Sequence, residues 1–198
     1  MKGKNFSLNN VDGKRNANDY YQTPYSITEQ LLEREKLNGS ILEPACGQGA
    51  IVKVLMKNGY RPSFYDLALG ADFFSEKRKY DWVITNPPFK KAFEFIQKAK
   101  IVANNIAMLL PLSYLHGVER YKHIWNDKNF PLRKIYVFTR YPMLSENIRA
   151  DGKYKTGMMV LAWFIWDASY KNEPIIDWID NNEFIINKSD SPFHHILY

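Results

Sequence analysis

Ser40-Ile41-Leu42-Glu43-Pro44-Ala45-Cys46-Gly47-Gln48-Gly49 reads as a short strand running into a glycine-containing turn. Pro44 ends the strand, because proline has no N–H to give to a ladder. The residues that follow place Ile51, Val52, Leu55 and Met56 at helical spacing, and Asn58-Gly59 closes that run. Strand, tight turn and helix in that order make the front half of a β–α–β unit.

The same alternation extends outward in both directions. On the amino side, Ser26 to Lys36 reads as a helix with Ile27, Leu31 and Leu32 on one face, stopped by Asn38-Gly39. On the carboxyl side, Ser63 to Asp66 reads as a second strand. Asp81 to Thr85 reads as another, stopped by Pro87-Pro88. Ala92, Phe93, Phe95, Ile96 and Ala99 mark the apolar face of a helix. Asn105 to Leu110 is almost continuously apolar, as expected of a strand buried on both faces. A helix around Val118 to Trp125 precedes two late strands, Arg133 to Phe138 and Met158 to Trp166. Strands alternating with helices predict an α/β domain with a mostly parallel sheet. Such sheets bind ligands at the carboxyl ends of their strands.

Residues 1–18, rich in Asn, Lys and Gly, predict a flexible arm ahead of one domain over residues 19–198. Thr139 to Gly157 breaks the periodicity with Pro142, Gly152 and several charges, and reads as a functional loop. A chain of 198 residues, 45% hydrophobic, suits one core and excludes global disorder. The net charge of +6 favours a polyanionic partner. A lone cysteine, Cys46, excludes an internal disulfide framework and a cysteine-rich zinc site. His116, His123, His194 and His195 have no partners at metal-ligand spacing, so no metal is expected. No apolar run approaches the ~20 residues that span a bilayer, and the first residues lack the apolar core of a signal peptide. A soluble protein of the reducing cytoplasm is expected.

The motifs with chemical potential all follow predicted strands. In Glu43 to Gly49 the glycines let a ligand approach the backbone, and the helix start offers free N–H groups. No glycine follows Gly49 at the third spacing of the dinucleotide fingerprint. Asp66, at the end of the second strand, can accept hydrogen bonds from a ribose diol or cap a turn. Asp72 precedes Phe73-Phe74, where the acid can meet an adenine amino group and a ring can pack on the base. Asn86-Pro87-Pro88-Phe89 is the sharpest signal. Two prolines stiffen the turn and aim the Asn86 amide, a proline carbonyl can accept beside it, and Phe89 can stack on a planar ring. Cys46 follows Ala45 inside the glycine turn and is not expected to act as a nucleophile.

In this order, the Pro24 segment, Glu43-Pro44-Ala45-Cys46-Gly47-Gln48-Gly49, Asp66, Ala71-Asp72-Phe73-Phe74 and Asn86-Pro87-Pro88-Phe89 resemble the S-adenosylmethionine-dependent amino-methyltransferases of DNA adenine. The resemblance runs from about Asp19 to Trp166. It implies a Rossmann-like methyltransferase fold: seven strands, mostly parallel, an antiparallel last strand, and helices on both faces. It implies that Tyr21, Gln22 and Thr23 close over the cofactor's methionine part, with Glu43, Ala45 and Gly47 around it. Asp66 is implied at the ribose, Asp72 and Phe73 at the cofactor's adenine, and Asn86 between cofactor and target. Asn86, Pro87, Pro88 and Phe89 are the implied catalytic turn, with double-stranded DNA as partner. Arg140, Arg149, Lys153 and Lys155 in the 139–157 loop are read as DNA contacts, together with Phe89 on the flipped base. Larger members carry a separate target-recognition domain for which this chain has little room. RNA adenine, a protein glutamine amide or cytosine N4 would suit related chemistry, and an idle fold serving as a nucleic-acid-binding module is the alternative of a different class.

Overall fold

Residues 23–139 and 160–180 are described by the structure, a computed structural model. The expected arm over 1–18, Tyr21, Gln22, and Arg140, Arg149, Lys153 and Lys155 of the loop lie outside the described residues.

Seven strands form one sheet: β1 (Ile41–Glu43), β2 (Ser63–Phe64), β3 (Tyr80–Thr85), β4 (Ala103–Pro111), β5 (Leu132–Phe138), β6 (Leu161–Asp167) and β7 (Ile175–Ile179). Their order is β2-β1-β3-β4-β6-β5-β7. The chain leaves β1 for β2 on one side and returns to β3 on the other, so the order reverses at β1. A crevice opens at the carboxyl ends of strands where the order reverses. Here those ends are Glu43 and Thr85.

Apolar residues on both sides of the central strands explain the layers. In β4, Ile106, Met108 and Leu110 join one core cluster, while Ala107 and Leu109 join the other. In β6, Phe164 and Trp166 face the first cluster, and Trp163 and Ile165 the second. Helix α1 (Tyr25–Leu32) and helix α2 (Ala50–Lys57) cover the second face through Ile27, Leu31, Ile51 and Leu55. Helix α3 (Ala92–Val102) covers the first through Phe95, Ile96 and Ala99. The alternation along each strand drives both helix layers onto the sheet.

Four local features differ from the sequence expectation. Helix α1 ends at Leu32 rather than Lys36, because Glu35 turns inward and accepts from Tyr136 Oη at 2.7 Å and from Arg133. The expected helix at Val118 to Trp125 has α geometry only over Val118–Arg120. A π turn over Tyr121–Trp125 follows, with the Asn126 N–H reaching the Tyr121 carbonyl at 2.9 Å. Trp125 there stacks on Trp166, with ring centroids 5.8 Å apart and planes 10° apart. The second strand is only two residues, since Asp66 leaves the ladder to cap a short turn. The antiparallel strand is β6, and a further strand, β7, follows it and lies parallel to β5 at the sheet edge.

Candidate functional site

Glu43 closes β1 with its side chain wholly inside the protein. Its Oε1 accepts from the Ala45 N–H at 3.0 Å and from the Thr85 hydroxyl at 2.5 Å. Its Oε2 is buried and has no hydrogen-bond partner among the described residues. Burial disfavours the charged form and pushes the carboxyl up to about 8, against the pull of the Thr85 and Ala45 hydrogen bonds; the nearby Asp66 adds to the rise.

The turn after β1 continues the ladder before it becomes a helix. The Tyr65 N–H donates to the Glu43 carbonyl and the Cys46 N–H to the Tyr65 carbonyl, each at 2.9 Å. Gly47 and Gly49 then take φ of 50° and 78°, in the left-handed region that side chains disfavour. A Cβ at Gly49 would meet nothing within 4 Å, so the backbone there borders open space. Cys46 sits in this turn with its thiol pushed up to about 11, by burial first and then by Glu43 and Asp66. At neutral pH it is a thiol, the less nucleophilic form.

Asp66 reaches back to the same turn. Its Oδ2 accepts from the Gly47 N–H and its Oδ1 from the Ala68 N–H, both at 2.8 Å. It therefore caps a turn, and each carboxylate oxygen retains a second lone pair for a diol. Asp72 does the same one turn later, with Oδ1 accepting from the Phe74 N–H at 3.0 Å. Phe73 is only 2% exposed and packs on Phe95 at 5.2 Å between ring centroids. Its ring is mostly committed to the core, and it is Phe74 that reaches solvent.

Asn86 follows β3 directly, and its Nδ2 donates to the buried Thr23 Oγ1 at 3.1 Å. With the nitrogen turned to Thr23, Oδ1 points away from it. The Pro88 carbonyl is taken by the Lys91 N–H at 2.8 Å, whereas the Pro87 carbonyl accepts no hydrogen bond from the described residues. Phe89 is half-buried against the Ile27 and Leu31 cluster.

Hydrogen bonds thus join Thr23 with Asn86, both Thr85 and Ala45 with Glu43, and Gly47 with Asp66, all at the strand ends beside the β1–β3 switch. Thr85 is the participant that sequence reasoning left out. Its signal is a hydroxyl at the end of the buried run Trp82-Val83-Ile84-Thr85. An open groove of about 610 Å³ lies elsewhere, at the amino ends of β5 and β7, lined by Trp125, Leu132, Ile135 and Ile176 among others. None of the motif residues lines it. Among the described residues no group of His, Cys, Asp and Glu side chains could hold a metal ion, and no helix is long and apolar enough to cross a membrane.

No family model matches the chain, and no curated protein matches it. Solved structures do. A candidate RNA methyltransferase of Pyrococcus horikoshii superimposes with a TM-score of 0.55 at 13% identity, over 76% of this chain and 88% of that one. The modification subunit of a candidate type I restriction enzyme from Vibrio vulnificus YJ016 gives 0.50 at 14% identity, over 86% of this chain and 50% of that one. A chain from a type I restriction-modification system gives 0.52 at 13% identity, covering 85% of this chain. This chain spans 50% and 46% of the lengths of those two restriction-system proteins. The seven-stranded sheet with its one antiparallel strand and two helix layers is a Rossmann-like methyltransferase fold.

Proposed function

We propose that the protein transfers a methyl group from S-adenosylmethionine to the N6 amino group of an adenine flipped out of DNA. The observation that carries this reading is Asn86, an amide held by Thr23 at the end of β3, next to the buried Glu43 and the glycine turn. Amide, proline turn and glycine loop meet at the carboxyl ends of β1 and β3.

The orphaned Glu43 Oε2 and the open space beside Gly49 fit a ligand carrying a cationic amino-acid group. Glu43, Ala45 and Gly47, with Tyr21, Gln22 and Thr23, would hold the methionine part of the cofactor. Asp66 would take the ribose through its remaining lone pairs, and Asp72 and Phe73 would border the adenine. When bound, the cofactor supplies an electrophilic methyl group on a sulfonium.

Adenine's amino nitrogen is a poor nucleophile, since its lone pair is delocalised into the ring. The Asn86 Oδ1 and the Pro87 carbonyl would accept hydrogen bonds from both of its N–H groups. That favours a tetrahedral nitrogen and localises the pair towards the methyl group. Positioning and this polarisation supply the acceleration, without a covalent intermediate. Pro88 stiffens the turn, and Phe89 offers a face for the flipped base. In this reading Arg140, Arg149, Lys153 and Lys155 meet the phosphates, in keeping with the net charge of +6. Two of the fold neighbours belong to restriction-modification systems, in keeping with a DNA substrate, and one is a candidate RNA methyltransferase, so RNA is the control that matters in the test.

The test is transfer of tritiated methyl from S-adenosylmethionine to duplex DNA, RNA and protein, followed by nucleoside analysis. N6-methyladenine in DNA is the expected product. Label confined to RNA or protein would replace the substrate, and no label in any of them would overturn the enzymatic reading.

A further inference from the structure

Thr85 sits between the Glu43 turn and Asn86. It is the last residue of β3, it is fully buried, and it immediately precedes Asn86. Its hydroxyl donates to Glu43 Oε1 at 2.5 Å, and the Ala45 N–H donates to the same oxygen at 3.0 Å. Both donors therefore converge on Oε1, and the buried Oε2 is left with no partner among the described residues. A carboxyl clamped on one oxygen presents the other in a fixed direction. A buried acceptor without a donor costs free energy unless a ligand completes it.

We propose that Thr85 is a positioning residue: its hydroxyl holds Glu43 so that Oε2 faces the cofactor and helps keep it the anion that receives the cofactor's ammonium group. The inference rests on the reading of S-adenosylmethionine as cofactor and is independent of the methylated substrate.

The electrostatics of the pocket give this contact leverage. Among the described residues, Asp66, from the turn after β2, and Cys46, in the glycine turn, are the ionisable groups that bear on Glu43, and Asp66 favours its neutral form. Burial also favours the neutral form. The Thr85 and Ala45 hydrogen bonds work in the opposite direction. Removing the hydroxyl therefore moves the appearance of the carboxylate to higher pH. Binding of a cationic amino-acid group follows the carboxylate, so its rise with pH moves up as well.

The test is calorimetric titration of the full chain with S-adenosylhomocysteine, which carries the ammonium but no transferable methyl, from about pH 6 to pH 9. For the wild type, affinity should rise through the region near 8 where Glu43 ionises. Thr85→Val keeps the volume and loses the hydroxyl. Its rising limb should lie at least about half a pH unit higher, a loss of about threefold in affinity on that limb. Thr85→Ser should retain the wild-type limb, and Glu43→Gln should abolish it. Should valine prevent folding, Thr85→Ala gives the same readout. Coincident limbs for the wild type and the hydroxyl-free variant would overturn the inference, as would a limb that survives in Glu43→Gln. Failure of the wild type to bind at any pH would overturn the cofactor reading itself, and the role of Thr85 with it.

Discussion

Asn86 is distinguished from an ordinary turn residue by the Thr23 hydroxyl that fixes its amide nitrogen. Asn86→Ala should reduce methyl transfer by at least about 100-fold, the scale for losing one polarising group in an active site. It should leave S-adenosylhomocysteine affinity within about threefold, since the cofactor contacts proposed for Glu43 and Asp66 are untouched. Equal loss of transfer and binding would remove the role assigned to Asn86. Glu43 yields a second prediction, in stability. Burial pushes its carboxyl up to about 8 in the folded protein, against about 4.5 for a solvated glutamate side chain. The folded state therefore holds the proton more tightly than the unfolded chain. The resulting stabilisation is complete below about 4.5 and is lost as pH rises through about 8. Urea titrations should show the wild type losing on the order of a few kcal/mol relative to Glu43→Gln across that window. A constant difference would mean that Glu43 is ionised throughout. The motif residues were legible one by one in sequence because glycine, proline, Asp and Asn have few reasons to cluster after strands. Thr85 was not, because a threonine ending a strand is ordinary there, and only the partner at 2.5 Å distinguishes it.

At the scale of elements, the turn entering β1 shows how tightly the sheet is built at the strands' amino ends. Gly39 takes a φ of +83°, and a Cβ there would lie 2.0 Å from Asp81 Oδ2. That same oxygen accepts from the Ser40 N–H at 2.7 Å and the Ser40 hydroxyl at 2.9 Å, fastening the start of β1 to β3. Gly39→Ala should cost about 2 kcal/mol from backbone strain alone, with further loss as Asp81 is displaced. Thermal melting of the variant checks this, and an unchanged midpoint would show that the turn can relax. Strand β4 was legible because its long apolar run is buried on both faces, which periodicity detects. Strand β7 was not, since four of its five residues are exposed and no alternation marks a buried face. The turn at Tyr121–Trp125 read as a helix because apolar spacing does not separate an i→i+5 bond from an i→i+4 one.

For the whole molecule, the sheet's centre carries the stability. Trp163 and Trp166 are both fully buried in β6, on opposite faces. The Trp163 indole donates to the Ile27 carbonyl at 3.0 Å and so pins α1 to the sheet, whereas the Trp166 indole has no partner among the described residues. Trp163→Phe should therefore cost about 1 to 3 kcal/mol more than Trp166→Phe, the difference being one buried hydrogen bond. Equilibrium urea unfolding of the two variants measures it directly, and equal midpoints would deny α1 that anchor. The α/β class and the parallel majority were readable from alternation, because the order of elements along a chain restricts how they can pack. That one strand runs antiparallel came only through resemblance, since pairing direction leaves no mark in a fully apolar strand.

Strand β6 pairs along most of β4, from Asn105 opposite Asp167 to Pro111 opposite Leu161. A ribosome delivers those partners about fifty to sixty residues apart, so β4 emerges with one flank unsatisfied and must wait. Contacts so distant along the chain close slowly. Until residues 161–167 leave the exit tunnel, an apolar strand edge stands open to any other nascent chain, and that interval is where a holding chaperone would have the most to protect.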